Sequence, residues 1–166
     1  LCDRRQRQMC IRDRVYDVAA IESAAMRKYE YENHIKTFVS LWYSFDESTY
    51  ENNVTLALNL IGNRGKELYN EYNDINMLNS LIQKNIRYGV IIKDIHINMQ
   101  TVPISGDILF TQTGYRARGS VARDISVNFT LYDVSRSREN SHGVKIESWD
   151  VRYSEPREIT DEEKLK

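Results

Sequence analysis

The chain has 166 residues, 28% charged and 41% hydrophobic, which suits one ordinary folded domain and excludes a disordered composition. Its formal charge is −1, and it holds no apolar run of about 18 residues, so no segment reads as a membrane span. Both cysteines, Cys2 and Cys10, lie in the first ten residues, which excludes structural disulfides and thiolate metal sites from the rest.

Residues 1–14 hold five of the 23 basic residues against Asp3 and Asp13. No apolar segment follows them, as a secretory signal would require. Cys2 and Cys10 have no second Cys or His pair to complete a zinc site. The stretch Met9-Cys10-Ile11-Arg12-Asp13-Arg14 resembles the translated end of a transposase sequencing adapter, whose codons ATG TGT ATA AGA GAC spell its first five residues. Residues 1–14 are therefore expected to be a library artefact, with the native body starting at Val15. That body holds 18 basic and 22 acidic residues. Its mild acidity weighs against direct nucleic-acid binding, which needs a basic patch.

From Val15 to about Ile86 the apolar period is helical. Val18 to Tyr29 is rich in alanine, a strong helix former. Ile35, Phe38, Val39, Trp42 and Phe45 then follow the spacing of a half-buried helix. Asp46-Glu47-Ser48 supplies a stop and a fresh cap. Val54, Ala57, Leu58 and Ile61 repeat the stripe, and Gly62 and Gly65 are expected to break it. Leu68, Tyr69 and Tyr72 mark another short helix. Leu78, Leu81 and Ile82 mark a last one, capped by Asp74 or Asn76.

From Gly89 the period becomes two. Ile95, Ile97 and Met99 alternate with Asp94, His96 and Asn98. Pro103 to Gly106 reads as a turn and Ile108 to Arg118 as a second strand. Ile125, Val127, Phe129 and Leu131 define a third. Asn140-Ser141-His142-Gly143 is a turn, and Val144 to Tyr153 a fourth strand. The apolar phase of that strand slips near Glu147-Ser148, which predicts a bulge. A charged tail follows, over residues 156–166. Helices first, then four consecutive strands, predict an α+β domain with N-terminal helices on one face of a four-stranded antiparallel meander.

Motifs for chemistry are sparse. Gly62 to Glu67 lacks the spacing of a phosphate loop and the hydroxyl after lysine, so it reads as a loop. His34, His96 and His142 lie on different elements with no metal-ligand spacing. His34 is expected on a helix surface. Trp42 is expected in the core. Trp149, at the phase slip, is a candidate for exposure on a partner surface.

Several segments of the body carry a family likeness. They are Val15-Tyr16-Asp17, His34 to Phe38, Asn53 to Leu58, Leu68 to Tyr72, and Arg136-Ser137-Arg138-Glu139-Asn140-Ser141-His142-Gly143-Val144-Lys145-Ile146-Glu147. In this order and spacing, the chain from about Val15 to Glu155 resembles the TraK family of Bacteroidetes conjugative transposons. The resemblance implies a VirB-type bitopic inner-membrane scaffold of a conjugative type IV secretion system. It implies one membrane helix ahead of Val15 and a single periplasmic domain over residues 15–155 with a nuclear-transport-factor-two-like, cystatin-like roll. It implies other conjugation-machinery proteins as partners and a homo-oligomer, and it carries over no catalytic residue; no cofactor or metal is expected, and the acidic body argues against direct nucleic-acid contact.

The partner-contact candidates are Tyr115, Arg116, Arg118, Arg136, Arg138, Asn140, His142 and Trp149, chosen as aromatic, arginine and hairpin residues. The competing reading of the hairpin residues is that they only fix the turn, with Gly143 supplying a positive φ. The alternative function is a small-ligand-binding or proton-transfer enzyme on the same fold. It requires an enclosed pocket with a buried carboxylate between helices and sheet.

Overall fold

The computed structural model describes residues 25–117 and 119–157. Helix α1 is described over residues 25–43. The stretches either side of Glu30 to His34, read from sequence as two segments, form one helix there, because nothing between them breaks a helix. Tyr31, Ile35, Phe38, Val39 and Trp42 make one buried stripe, none more than 2% exposed.

Asp46 ends this run as predicted. Its Oδ1 accepts from the backbone N–H groups of Ser48 and Thr49 at 2.9 Å each. Helix α2 (Tyr50–Leu58) follows, then α3 (Arg64–Asp74) and α4 (Met77–Lys84). Gly65 does not break a helix. It lies in the first turn of α3, where a Cβ would stand 2.5 Å from Ile61 Cγ2, so its lack of a side chain lets α3 close on Ile61. Asn76 precedes α4 with φ 51° and caps it with no side-chain bond.

Strands β1 (Arg87–Asn98), β2 (Ile104–Arg116), β3 (Gly119–Asp133) and β4 (Val144–Arg157) form one antiparallel sheet in chain order, the expected meander. Strand β2 starts at Ile104, so Gly106 belongs to a strand and not to the turn. Phe129 packs where a Cβ of Gly106 would be. Strand β4 runs past Tyr153 to Arg157, pairing it with Ala122. The first residues assigned to a tail are thus sheet.

The predicted bulge is present: between the Thr130–Ser148 and Leu131–Ile146 pairs, Glu147 is the extra residue. A second one lies at Arg152, where the apolar pattern gives no sign of it. It turns Tyr153 to the face opposite Trp149 and Val151.

The helices cover the face that carries Ile108, Phe110, Ile125, Val127, Phe129, Leu131, Ile146 and Trp149, all buried. The opposite face is polar. There Asp124 on β3 accepts from Lys93 on β1 at 3.0 Å, Arg157 on β4 at 3.1 Å and Thr111 on β2, tying all four strands together. Burial pushes the Asp124 carboxyl up, but these three donors outweigh it and hold it down to about 2.

Candidate functional site

The β3–β4 loop, residues 134–143, is clamped to α1. The Arg27 guanidinium reaches Glu30 on its own helix, Asp133 at the end of β3, and the carbonyls of His142 (2.7 Å) and Gly143 (3.2 Å). It also lies 4.7 Å over the Tyr31 ring, whose hydroxyl donates to Asp133 at 3.0 Å. Glu30 bridges onward to Arg136 at 2.8 Å. Hydrogen bonds from Arg27 and then Arg136 hold the Glu30 carboxyl below the usual range.

The loop's own turn agrees with the competing reading. Gly143 has φ +61°, and a Cβ there would meet Val134 O and Arg136 Cγ at 2.8 Å each. Asn140 is 5% exposed, and its Nδ2 donates to Val144 O at 2.6 Å. Asn140 therefore builds the loop and presents little to a partner.

His34 is not on the surface. It is fully buried, because its position on α1 faces the β3–β4 loop and the segment after α2. Its Nε2 lies 3.0 Å from the Leu60 carbonyl, and its ring meets that of His142 edge-on at 5.7 Å. The two histidines are neighbours in space, although 108 positions separate them. His142 Nε2 in turn lies 3.1 Å from Asn33 Nδ2. Burial lowers the His34 pKa to about 4, against the Leu60 bond, with help from His142 and Arg27. Among the described residues, no three His, Cys, Asp or Glu side chains group as a metal site.

Trp149 is not exposed on a partner surface either. It is fully buried, and its Nε1 donates to Tyr43 Oη at 3.0 Å. The Glu147 bulge turns it inward, so the phase slip marks core packing and not exposure. It packs edge-on to Phe38 at 4.8 Å and stacks on Phe129 at 6.1 Å.

Tyr115 and Arg116 lie at the far end of β3 from the loop, where β2 turns into β3. Tyr115 is 38% exposed under the Arg87 guanidinium, 5.5 Å from the ring centroid. Arg116 is exposed. Arg118 lies outside the described residues. Arg138 is exposed on the β3–β4 loop. The fifteen residues of β3 separate these two ends by up to about 45 Å, so the candidates do not form one surface.

The space between helices and sheet is filled by aromatic rings. Trp42, Phe38, Phe110, Phe129 and Trp149 are each at most 1% exposed. The buried polar side chains among the described residues are His34, Thr111, Thr113 and Asn140, with no carboxylate.

This architecture recurs in solved structures. The Agrobacterium tumefaciens VirB8 protein superposes with a TM-score of 0.63 at 14% identity, over 82% of this chain and 96% of that one. The chain shares the VirB8-type fold. A periplasmic fragment of TraM matches at 0.62 with 9% identity, over 75% of this chain and 96% of that one. The soluble domain of the type IV secretion component TrwG from Bartonella grahamii matches at 0.55 with 16% identity, over 76% and 93%. The predicted nuclear-transport-factor-two-like arrangement, helices on a four-stranded antiparallel sheet, is thus the one observed. No protein-family profile and no curated protein sequence matches the chain.

Proposed function

We propose that residues 15–155 are the periplasmic scaffold domain of a conjugative type IV secretion apparatus, from a TraK-like protein anchored in the inner membrane by a helix ahead of Val15. The carrying observation is the fold shared with VirB8, TraM and TrwG domains over nearly their whole length. The family-like run from Arg136 to Glu147 supports it, since much of that run builds the α1 clamp and the turn into β4.

The domain acts by contact and not by chemistry. A proton-transfer enzyme needs an enclosed pocket with a carboxylate of raised pKa. Here stacked aromatic rings fill that space. Contacts at two ends of the sheet, Tyr115 with Arg116 and the loop around Arg138, suit a subunit that touches two neighbours in a homo-oligomer or a mixed assembly. Partners are other proteins of the conjugation machinery. No direct nucleic-acid contact is proposed for an acidic body.

The test is topological. The full-length parent is fused after residue 157 to alkaline phosphatase and, separately, to a cytoplasm-dependent fluorescent protein. An active phosphatase with a dark fluorophore supports a periplasmic domain. The reverse pattern removes the proposal.

A further inference from the structure

The turn between β1 and β2, residues 99–103, has its polarity turned inward. Thr101 Oγ1 donates to the Asn98 carbonyl at 3.2 Å and accepts from the Ser105 N–H at 3.0 Å. The Gln100 N–H donates to Asn98 Oδ1 at 2.9 Å. The outward side chains are largely apolar. Val102 is 99% exposed and Met99 37%, and Pro103 is exposed beside them. From Ile95 to Gly106 the sequence holds no Asp, Glu, Lys or Arg. Water favours the reverse arrangement.

This turn lies at the end of the sheet where α1 begins. Ile104 pairs with Leu131, two positions before Asp133. Arg27 and Tyr31, on the first described turns of α1, bind Asp133. On those same turns Met26 and Tyr29 are exposed. Two carboxylates of this end are already neutralised, Asp133 by Arg27 and Glu30 by Arg27 and Arg136. The far end of the sheet differs in character. There β2 turns into β3 through Arg116 and Arg118, and β4 ends at Arg157 beside Ala122.

A membrane helix ahead of Val15 leaves ten residues, 15–24, before the described part of α1. They span at most about 35 Å, so the bilayer lies on the side of the β1–β2 turn and not of the arginines. Met99, Val102 and Pro103 can enter the headgroup boundary without carrying a charge, and a tyrosine such as Tyr29 suits that depth. The polar groups of the turn are bonded to one another, which lowers the cost of taking them out of water. A weak contact suffices, because a short tether gives an effective concentration on the order of millimolar.

We propose that the β1–β2 turn, with Met99, Val102 and Pro103 at its tip, dips into the interface of the bilayer that anchors the chain. The orientation rests on the anchored reading given under Proposed function.

The test supplies its own tether. The full chain, with Cys2 and Cys10 replaced by serine, carries an N-terminal histidine tag and is held on phosphatidylcholine liposomes that contain nickel-chelating lipid. A bimane fluorophore is attached at Gln100→Cys or, separately, at Ser120→Cys, both exposed positions at opposite ends of the sheet. Lipid nitroxides just below the headgroups are expected to quench the Gln100→Cys label by about twofold or more and to leave the Ser120→Cys label unchanged. Adding Val102→Asp should abolish the quenching. Val102 packs against nothing, so an unchanged circular dichroism melt confirms that this variant folds. An unquenched label at Gln100→Cys, equal quenching with Val102→Asp, or quenching at Ser120→Cys instead overturns the proposal. Since the tag replaces any native anchor, failure here strikes the turn alone, whereas the phosphatase fusion tests the anchored reading.

Discussion

Trp149 donates its indole N–H to the hydroxyl of Tyr43, 3.0 Å away, with Trp149 fully buried. This bond joins the last strand to the end of α1 across the aromatic core. Burial pushes the Tyr43 phenol up to about 12, so it stays protonated and accepts the indole bond over the whole working range. Tyr43→Phe leaves a buried indole N–H without its acceptor and should cost about 1–3 kcal/mol. Trp149→Ala empties a cavity and should cost about 3–5 kcal/mol. Urea titration by circular dichroism reads both. A Trp149→Ala variant as stable as the wild type contradicts the packing described.

The clamp between α1 and the β3–β4 loop makes an unequal pair of predictions. Arg27 has only 24% of its side chain exposed and serves two carboxylates and two carbonyls, so Arg27→Ala should cost about 1–3 kcal/mol. Arg136 has 61% of its side chain exposed, so Arg136→Ala should cost about 1 kcal/mol or less. Hydrogen exchange should show residues 134–143 opening faster in Arg27→Ala and near wild-type rates in Arg136→Ala. Equal effects contradict the clamp as described.

His34 predicts the pH dependence of stability. Its folded pKa, about 4, lies below the ordinary histidine value. The unfolded chain therefore takes up a proton between about pH 6.5 and 4 that the folded chain refuses, and stability falls by about 1–3 kcal/mol across that window as pH drops. His34→Phe loses the bond to Leu60 but should flatten this slope. Asp124 acts lower down, in the opposite chemical class. Its carboxyl is held at about 2, so its contribution is present above the ordinary carboxylate pKa and is lost as pH falls toward 2. Asp124→Asn should remove that second limb and leave the first. Denaturant midpoints measured from pH 8 to 2 separate the two.

The sheet end at Tyr115 and Arg116 carries the prediction for assembly. Arg116→Ala should lower transfer of the conjugative element without moving the melting temperature, because Arg116 is exposed. Normal transfer removes Arg116 from the candidate surface. Trp149→Ala cannot serve as a companion test, because it acts through stability.

Period alone made the architecture readable. The α1 stripe from Ile35 to Trp42 and the alternation from Ile125 to Leu131 survive into the structure, and so does the Glu147 bulge, since each is a local pattern. The clamp was not legible. Arg27 and Asp133 lie 106 positions apart, and a pairing at that distance leaves no local trace. The burial of His34 leaves no local trace for the same reason: what buries it arrives from Leu60 and His142. The side that Trp149 takes is not legible either, because a bulge changes which face a residue takes and the phase slip does not say toward which side.

The most direct test of the central claim is deletion of the full-length parent gene from the element that carries it, with transfer frequency measured by mating. The scaffold reading predicts a fall of about a hundredfold or more, restored by the wild-type gene and not by a version lacking residues 25–157. Transfer at the parental frequency in the deletion strain contradicts it.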